Sequence, residues 1–362
     1  MKPQLEPERY LSQQAHQKDV RILQRYAWHL IGTTNALSQA GDYVATTILG
    51  IPVFVRNCDG QLVGFRNVCA HRHCQLFDEG VGRSEAFKCR YHGWQYGGDG
   101  RTRRLPKANQ FPGFDREAYR LETFEVGTCG QLVFIKLLAE APTLAAWLDE
   151  FQTDLSSKTT GDSWFENLAM TREHQANWKI PIEGSLESYH LDEVHAGTFG
   201  KDPGEEATEH RFTSNGSVFQ TSARGDSAAE RLEAWSIRWL TGNFHGVYTH
   251  LHVYPNLMAS LTETITLVYQ VQPVAPNRCQ MNVYGFGRTP KVGSGPLKKL
   301  WARGMGRVSA RIATKILDED AEVFPRVQDG KNGAVGNGIF ARSEERLFSF
   351  HQYLTDIATK LD

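Results

Sequence analysis

The sequence predicts an α+β protein with two domains, an all-β domain followed by a domain of strands with a long helix. The chain has 362 residues, which is enough for two hydrophobic cores. Its first part contains short β-rich runs separated by turn residues, and residues 212–287 contain longer runs of the same kind. A helical pattern then extends from Pro296 to Ala321 and is expected to end or kink at Pro325.

Composition excludes several classes of function. The 40 basic and 41 acidic residues leave a formal net charge of −1, so no strong field attracts nucleic acid or a membrane surface. No apolar run approaches the ~18–20 residues that cross a bilayer. Residues 1–18 are polar and lack the apolar core of a signal peptide. We therefore expect a cytoplasmic protein without nucleic-acid or membrane partners and without disulfide bonds.

The first 140 residues read as a helix followed by strands. The helix is predicted from Glu8 to Gln24. Asp59 and Gly60 lie between two apolar runs and predict a tight hairpin. β-rich runs predict strands at residues 43–49, 52–56, 61–68, 121–126 and 131–137. A helical pattern of apolar residues predicts a helix at 143–155. The predicted organisation is a helical segment at residues 1–26, an all-β domain at 27–140 and a second domain at 141–362.

The all-β domain contains four side chains that are typical metal ligands. Residues 69–71 read Cys-Ala-His, and residues 89–92, seventeen residues further on, read Cys-Arg-Tyr-His. Two thiolates and two imidazoles suit either a tetrahedral zinc site or a two-iron cluster with two cysteines on one iron and two histidines on the other. Zinc-finger spacing places both cysteines in one loop, whereas each loop here carries one cysteine and one histidine. The pattern therefore favours the cluster.

The second domain contains another group of potential ligands. Glu187, His190 and His195 follow each other at intervals of three and five residues. On an ideal helix, at ~100° per residue, the two histidines are about 140° apart, so they can bind one metal only if the helix bulges or breaks between them. Two histidines and a carboxylate on one face of Fe(II) leave open positions for O₂ and substrate. The spacing alone does not separate such a site from unrelated histidines.

The two groups together resemble the Rieske non-haem iron oxygenases. The signature of that family, Cys-x-His, fifteen to seventeen residues, then Cys-x-x-His-Gly-Trp, is present at residues 69–94. An Asn-Trp-Lys run at residues 177–179 precedes the acidic residue and the two histidines in the order found in the family. A Glu-Asp pair at 319–320 precedes a Gln-x-Gly segment at 328–330. The resemblance covers both domains, roughly residues 27–330.

This resemblance implies the fold and the cofactors. The fold is a Rieske [2Fe–2S] domain plus a helix-grip (START-like) catalytic domain with an antiparallel sheet and a long C-terminal helix. The implied cluster ligands, with Trp94 beside them at the end of the signature, are Cys69, His71, Cys89 and His92. The implied ligands of a mononuclear Fe(II) are His190, His195 and Asp320, with Asp318 and Glu319 as competitors for the third place.

The resemblance also implies an activity and partners. The chain would be an oxygenase component that takes electrons from a separate reductase or ferredoxin, and NAD(P)H would act only through that reductase. With O₂ it would hydroxylate, dihydroxylate or oxidatively demethylate a small organic substrate. It would form a homotrimer, in which Glu187 bridges a cluster histidine of one subunit and an iron histidine of the next. The alternative is a non-catalytic Rieske electron-transfer protein with a degenerate second domain.

Weaker patterns concern the substrate and the surroundings of the sites. Glutamate at position 187, where ring-hydroxylating members have aspartate, tilts the expected substrate towards a quaternary ammonium compound, with an aromatic compound as the other candidate. The basic run at residues 101–107 is either a solvated loop or a docking surface for an acidic electron donor. His73 stands where the family often has glycine. Strands are predicted at 217–221, 232–240, 246–254, 257–272 and 279–286, and their candidate pocket residues are Trp235, Trp239, Tyr248 and His250.

Overall fold

The computed structural model describes residues 5–198, 202–222 and 227–361. The chain divides into two compact units, one formed by Trp28–Leu144 and the other by Met1–Ala27 together with Ala145–Asp362. The N-terminal segment, predicted as a separate part of the chain at residues 1–26, thus groups with the second unit. Each unit has its own antiparallel sheet.

The Trp28–Leu144 unit contains a seven-stranded and a three-stranded sheet, both antiparallel. The strands of the larger sheet, in the order β1-β10-β9-β4-β3-β2-β5, are β1 (His29–Thr33), β2 (Asp42–Ile48), β3 (Ile51–Cys58), β4 (Gln61–Arg66), β5 (Gly80–Arg83), β9 (Thr123–Cys129) and β10 (Leu132–Lys136). The smaller sheet consists of β6 (Phe87–Lys88), β7 (Gln95–Tyr96) and β8 (Thr102–Arg104), and a single 3₁₀ turn follows at Ala108–Gln110.

Two tight hairpins fix the register of the larger sheet. In the predicted β3–β4 hairpin, Asp59 and Gly60 have φ angles of 56° and 95°, and Asn57 Oδ1 accepts the Gly60 N–H. Two consecutive positive φ angles match the twist of antiparallel strands. Leu49 and Gly50 make the same turn between β2 and β3, with φ angles of 50° and 79°. The predicted strand 43–49 therefore ends at Ile48.

An aromatic core supports the cysteines of the two ligand loops. Phe54, Phe65 and Phe87 are fully buried and pack on one another with ring centroids 5.1–5.6 Å apart. Cys69 and Cys89 belong to the same buried cluster. Burial of each phenylalanine contributes about 1.5–3 kcal/mol, so the core gives the loops a rigid base.

The other unit begins with two short helices and not with the one helix predicted. They are α1 (Glu8–Leu11) and α2 (Gln13–Tyr26). Ser12 between them has extended backbone, and its Oγ accepts the Ala15 N–H, which caps the start of α2.

A seven-stranded antiparallel sheet forms the centre of this unit. Its strands, in the order β11-β17-β16-β15-β14-β13-β12, are β11 (Trp164–His174), β12 (Thr208–Phe212), β13 (Gly216–Ser222), β14 (Val247–Val253), β15 (Leu257–Leu261), β16 (Ile265–Ala275) and β17 (Arg278–Arg288). The remaining helices are α3 (Leu144–Leu148), α4 (Phe151–Thr159), α5 (Lys179–Ser185), α6 (Leu191–Val194), α7 (Ala228–Thr241), α8 (Pro296–Asn332) and α9 (Glu345–Thr359), with a 3₁₀ turn at Glu205–Ala207.

Helix α8 packs on the sheet through a close approach at Gly306. A Cβ atom at this position would lie 2.7 Å from the Phe165 ring, so only glycine fits. The helix continues through Pro325 to Asn332, so the first of the two outcomes predicted at Pro325, an end of the helix, is wrong. Tertiary contacts on both sides hold the helix together: Phe324 is buried, and Gln328 Oε1 accepts the Asn177 N–H at 2.7 Å.

The predicted strand at residues 232–240 is wrong, because these residues belong to α7. Ser227 Oγ accepts the Glu230 N–H, and the Glu230 carboxylate accepts the Ser227 N–H, which is a complete capping box. Gly242, with a φ of 95°, ends the helix. Both signals are in the sequence, and they override the apolar run between them.

Two other predicted elements are each divided in the structure. The predicted strand 257–272 forms β15 and β16, separated by a turn in which Thr262 Oγ1 accepts the N–H groups of Thr264 and Ile265. The predicted helix 143–155 forms α3 and α4, separated at Asp149, whose φ is 48°. Strands β11 and β12 and helix α9 were not predicted. Across residues 5–198, 202–222 and 227–361, no helix has the combination of length and apolar character that would cross a membrane.

Candidate metal centres

The two ligand loops of the Trp28–Leu144 unit have the same backbone structure. Cys69 N–H donates to the carbonyl of Cys74, and Cys89 N–H donates to that of Trp94, five residues ahead in both cases. Each cysteine carbonyl also accepts an N–H from four residues ahead, that of His73 in the first loop and that of Gly93 in the second. These two residues have left-handed backbone, with φ angles of 58° and 74°. The two loops are therefore matched in backbone geometry.

The four predicted cluster ligands come together on these loops. Cys69 and Cys89 are buried, while the rings of His71 and His92 lie nearer the surface with centroids 4.7 Å apart. Trp94 is buried and stacks on His71 at 4.7 Å with an interplanar angle of 1°. Thiols inside and imidazoles outside fit a two-iron cluster whose histidine-bound iron is closer to solvent.

Tyr96 makes a contact with the cluster loops that sequence reasoning missed. Its Oη lies 3.0 Å from Cys69 Sγ and accepts the Ala70 N–H at 3.0 Å. Burial and the Cys69 sulfur beside it raise the pKa of Tyr96, so the hydroxyl keeps its proton and would donate a hydrogen bond to Cys69 when that residue is a thiolate ligand of the cluster. The signal was available, since Tyr96 lies two residues beyond the signature tryptophan.

The basic run after the second loop is partly neutralised within its own unit. Arg101 pairs with Glu117 at 2.6 Å, and Arg103 pairs with Asp99 at 2.7 Å. These are exposed ion pairs. Two of the positive charges of the run are thus balanced locally, which favours the solvated loop over a docking surface.

In the other unit, the Asn-Trp-Lys run anchors the segment that leads to the predicted iron ligands. Asn177 donates to the carbonyls of Tyr10 and Pro276. Trp178 Nε1 donates to Asp19 Oδ2 at 2.8 Å, and the same carboxylate pairs with the buried Lys179 ammonium. The run is therefore structural: it fixes the start of α5 on the N-terminal helices.

The chain breaks its helix between α5 and α6, which is the condition that the histidine spacing required. Helix α5 ends at Ser185, and the single turn α6 begins after His190 and ends before His195. The two imidazole rings consequently approach each other, with centroids 5.2 Å apart. Neither histidine is in the middle of a regular helix, so the 140° angle of an ideal helix does not apply.

His190, His195 and Asp320 converge on one point. His195 Nε2 lies 3.0 Å from Asp320 Oδ1, and His190 Nε2 lies 3.6 Å from the same oxygen. One ligand atom from each of the three residues lies within 4.8 Å of the others. Asp320 comes from α8, so the site joins segments that are more than a hundred residues apart in sequence.

Two carboxylates bind the Nδ1 atoms, the outer nitrogens, of the two histidines. Glu187 Oε1 lies 2.6 Å from His190 Nδ1, and Glu319 Oε2 lies 2.8 Å from His195 Nδ1. Each Nδ1–H then donates to a carboxylate and leaves the Nε2 lone pair to face the convergence point. Thr198 Oγ1 holds the other oxygen of Glu319 at 2.5 Å. This arrangement fits a divalent metal with two imidazoles and one carboxylate, as non-haem Fe(II) requires.

Asp318 and Glu319, the competitors of Asp320 for the third ligand place, make different contacts. Asp318 pairs with Arg172 and does not belong to the group of ligand atoms formed by His190, His195 and Asp320. Glu319 binds the outer nitrogen of His195 and not the nitrogen that faces the site. Glu319 is thus a positioning residue that sequence reasoning treated only as a rival ligand, although its place next to Asp320 was known.

The candidate pocket residues fall into two groups. Trp235 and Trp239 lie on helix α7, stack on each other at 5.7 Å and pack against Trp301 of α8, and Trp235 is 53% exposed. Their placement on a pocket-lining strand is wrong. Tyr248 and His250 lie on a strand, as predicted, and their spacing of two residues places them on one face of β14. Burial raises the pKa of Tyr248, whose hydroxyl lies 3.1 Å from Ser260 Oγ.

Two ligand loops of Rieske type and a site of two histidines and one carboxylate define the class as Rieske non-haem iron proteins. The family model for the Rieske [2Fe–2S] domain matches residues 27–125, and that for the ring-hydroxylating alpha subunit (catalytic domain) matches residues 162–360. The chain belongs to the ring-hydroxylating alpha-subunit family. Its cofactors are accordingly a Rieske [2Fe–2S] cluster and a mononuclear iron.

Relatives include oxygenase subunits with different substrates. The chain is 29% identical over 187 residues to the glycine betaine monooxygenase oxygenase subunit of Pseudomonas aeruginosa, which covers 51% of this chain and 43% of that protein. It is 29% identical over 199 residues to the chlorobenzene dioxygenase subunit alpha of a Cupriavidus species, covering 53% and 43%. The match spans less than half the length of either relative.

Solved structures show the same fold over nearly the whole chain. The quaternary ammonium Rieske monooxygenase CntA in complex with its substrate gamma-butyrobetaine gives a TM-score of 0.78 at 18% identity, covering 98% of this chain and 95% of that one. Naphthalene 1,2-dioxygenase from a Rhodococcus species gives 0.77 at 16% identity, covering 97% and 93%. At these identities the likeness concerns the fold.

Proposed function

We propose that this chain is the oxygenase component of a multicomponent Rieske non-haem iron oxygenase. The observation that carries the proposal is the convergence of His190, His195 and Asp320, with the outer nitrogens of both histidines already bound by carboxylates. A degenerate second domain, as in a pure electron carrier, would have no reason to keep this arrangement.

Each group of side chains has a defined role in the proposal. Cys69, His71, Cys89 and His92 hold the [2Fe–2S] cluster, and His190, His195 and Asp320 hold the mononuclear iron. When bound, the cluster supplies single electrons and the mononuclear iron supplies the reduction of O₂. Glu187 and Glu319 keep both imidazoles in the tautomer that can bind metal. Helix α8 contributes the carboxylate from a well-packed element, which limits movement of the site.

Partners and substrate follow from the same assignment. A separate reductase or ferredoxin delivers electrons that originate from NAD(P)H, and a small organic substrate is hydroxylated, dihydroxylated or oxidatively demethylated. Both quaternary ammonium and aromatic compounds are substrate candidates, because the named relatives act on glycine betaine and chlorobenzene. The protein acts in the cytoplasm as a homotrimer, in which Glu187 links His190 to His92 of the partner subunit.

Metal content and EPR spectroscopy test the proposal. Protein purified without oxygen is analysed for iron and zinc, and its spectrum is recorded after reduction with dithionite. About three irons per chain with a Rieske-type signal is the expected result, two from the cluster and one from the mononuclear site. About two irons per chain that do not increase after Fe(II) addition would favour the electron carrier. Zinc without a signal would overturn the assignment of the loops.

A further inference from the structure

The first half of helix α8 carries a line of positive charges. Residues 289–317 contain seven basic side chains and no acidic one, although the whole chain has a formal net charge of −1. Five of the seven follow one another at intervals of four residues, so each is a neighbour of the next on the helix surface. All five are exposed, and we call them the cationic stripe: Lys299, Arg303, Arg307, Arg311 and Lys315.

The dimensions of the cationic stripe follow from helix geometry. At ~1.5 Å per residue, the five side chains extend over about 24 Å of the helix axis. At ~100° per residue, every member lies within about 80° of rotation from Arg307, which is at the centre of the stripe. The five charges therefore lie on the same half of the helix circumference and can meet one extended partner.

Four members of the cationic stripe have no internal counter-charge. Lys315 Nζ lies 3.6 Å from Glu319 Oε1, but in the described part of the chain the other four members make no ion pair and no side-chain hydrogen bond. Like charges at intervals of four residues destabilise a helix, and positive charges in its first turns oppose the helix dipole. The cationic stripe therefore does not stabilise α8 itself.

A depression of about 370 Å³ lies beside the second half of the cationic stripe. It is lined by Asn167 of β11 and by a face of α8 that includes Arg307, Arg311 and Lys315. Asp318 also lines it, but its carboxylate is paired with Arg172. Three cations of the stripe are thus beside a space that admits side chains of another molecule.

The composition of this surface indicates what kind of molecule covers it. Its length exceeds that of a small anion, and its three central members are arginines, whose guanidinium groups bind carboxylates through two parallel hydrogen bonds. Leu297, Leu300 and Val308 beside them are 66%, 67% and 54% exposed. Arginine together with apolar side chains is typical of protein interfaces, whereas a nucleic-acid backbone would leave the apolar side chains uncovered. The surface therefore fits the acidic face of a protein.

We propose that the cationic stripe is the docking surface for the electron-donor protein, and that this donor presents carboxylates on its docking face. The inference rests on the proposed function, which requires a separate reductase or ferredoxin. The basic run at residues 101–107 has two of its charges balanced by Asp99 and Glu117, whereas the charges of the stripe are available. Complementary charge accelerates encounter more than it increases affinity, which suits a donor that binds and leaves in every cycle.

An acidic plant-type [2Fe–2S] ferredoxin is the probe, and no substrate is needed. Calorimetry with the oxidised ferredoxin and the iron-loaded protein gives Kd. Stopped-flow absorbance gives the rate at which the reduced ferredoxin is oxidised by one electron while the oxidised Rieske cluster is reduced by one. From an ionic strength of about 0.5 M to about 0.02 M, binding and reduction should both strengthen at least about 10-fold. No binding, or equal values at both ionic strengths, would overturn the proposal.

Reversal of the three central charges tests the surface directly. The variant carries Arg303→Glu, Arg307→Glu and Arg311→Glu. At low ionic strength its Kd should rise and its rate of cluster reduction should fall by about 10–100-fold, and both should return to within about 3-fold of the parent at high ionic strength. Values equal to those of the parent at low ionic strength would refute the proposal.

A second triple variant controls for net charge. Arg21→Glu, Arg25→Glu and Arg278→Glu change the net charge by the same amount at exposed positions outside α8. This variant should stay within about 3-fold of the parent, since the charges it reverses lie outside the stripe. Equal losses in the two triple variants would assign the effect to net charge and overturn the proposal. Dithionite, which needs no docking surface, should reduce the cluster at the same rate in all three proteins.

A milder variant decides the question if the reversal of charge prevents folding. Arg303→Gln, Arg307→Gln and Arg311→Gln remove the charges without adding acids and also remove the repulsion between neighbouring arginines. At low ionic strength this variant should bind the ferredoxin about 3–10-fold more weakly than the parent. Unchanged binding would count against the proposal as firmly as in the reversed variant.

Two other occupants of the surface are tested with the same variants. The parent should not bind vesicles of phosphatidylglycerol and phosphatidylcholine, and sedimentation velocity should show the same oligomer for parent and variants. Vesicle binding that the variants lose, or a changed oligomer, would assign the stripe to a membrane or to a second copy of the chain and overturn the proposal. Iron analysis and EPR separate this proposal from the proposed function. Protein with both iron sites and no effect of the stripe refutes only the docking surface, and protein without a Rieske signal refutes the proposed function.

Discussion

The two candidate metal centres each contain two histidines but are assembled differently. The cluster loops are local: each ligand pair lies within four residues, and each loop closes with the same two backbone hydrogen bonds. The iron site is non-local, because its carboxylate comes from helix α8, and Glu319 on that helix also orients one of the histidines. In the first case the backbone fixes the ligands. In the second, individual side chains do so.

This difference predicts which substitutions each site tolerates. Backbone hydrogen bonds survive most side-chain changes, so the cluster loops should be sensitive mainly at the ligands themselves. A site held by carboxylates from distant segments should lose metal when one carboxylate is removed. Substitutions at the iron site should accordingly have larger effects than those around the cluster.

Asp320→Ala should give the largest effect. The variant should lose the mononuclear iron, about one iron per chain, while the Rieske EPR signal is unchanged, because the two sites share no ligand. Iron analysis and EPR on the same sample measure both. Asp318→Ala is the matched control and should keep its iron, since this carboxylate pairs with Arg172.

Glu319→Ala is the informative intermediate case. Loss of the hydrogen bond to His195 Nδ1 should weaken iron binding about 10–100-fold without abolishing it. If iron is lost completely in Glu319→Ala and retained in Asp320→Ala, the assignment of the third ligand is wrong and the two residues exchange roles.

Glu187→Ala should separate metal binding from turnover. At saturating Fe(II) the variant should contain both iron sites, yet its activity with a surrogate reductase should fall by at least about 10–100-fold, because His190 loses its hydrogen bond and the proposed bridge between subunits is removed. Glu193→Ala, an exposed acid on the same short segment, is the control. Full activity of Glu187→Ala, coupled to product formation, would exclude the bridge.

Tyr96→Phe should change the cluster without removing it. When Cys69 is a thiolate ligand, the Tyr96 hydroxyl, 3.0 Å from its Sγ, would be the donor, and such a bond stabilises the more negative, reduced cluster. Without it the reduction potential should fall by roughly 40 mV, taking about 1 kcal/mol for the bond and about 59 mV for each tenfold change of a one-electron equilibrium. A redox titration followed by EPR measures the shift. Tyr91→Phe, at a side chain that is 56% exposed, should have no such effect.

The sequence predicted the cluster loops more fully than the candidate iron site, whose residues are far apart in sequence. The spacing of the cluster ligands favoured a cluster by itself, whereas Glu187 and the two histidines gained their roles only through the resemblance to a family. Asp320 could be selected only through the resemblance to a family. The contact of Glu319 with His195 joins elements that are far apart in sequence, which no local pattern encodes.

The errors in the predicted fold also have a physical cause, which is a specific contact in each case. Residues 232–240 are apolar enough to suggest a strand, but the capping box of Ser227 and Glu230 starts a helix before them. Pro325 suggests the end of a helix, but the contacts of Phe324 and Gln328 extend α8 beyond it. In both places a specific interaction outweighed the general preference of the residues.

Substitutions at His73 and Gly93 compare the stability of the two matched loops and have the smallest expected effect. His73 has a φ of 58° at the position where the second loop has Gly93 with a φ of 74°. Left-handed backbone costs a residue with a Cβ about 1–2 kcal/mol, and glycine avoids this cost at some loss of chain entropy in the unfolded state. His73→Gly should therefore stabilise the Trp28–Leu144 unit by about 0.5–1 kcal/mol. Gly93→Ala should destabilise it by about 1–2 kcal/mol, because the new Cβ has room, 3.5 Å from Pro106, and only the backbone is strained.

Denaturant unfolding of the cluster-loaded protein, followed by loss of the visible absorbance of the cluster, compares the two variants in one unit. Changes of opposite sign in the free energy of unfolding would mean that the backbone strain of the left-handed residue limits the stability of each loop. If His73→Gly instead destabilises the unit, the imidazole makes a favourable interaction that exceeds the backbone strain, and the two loops are matched in backbone geometry without being matched in energy.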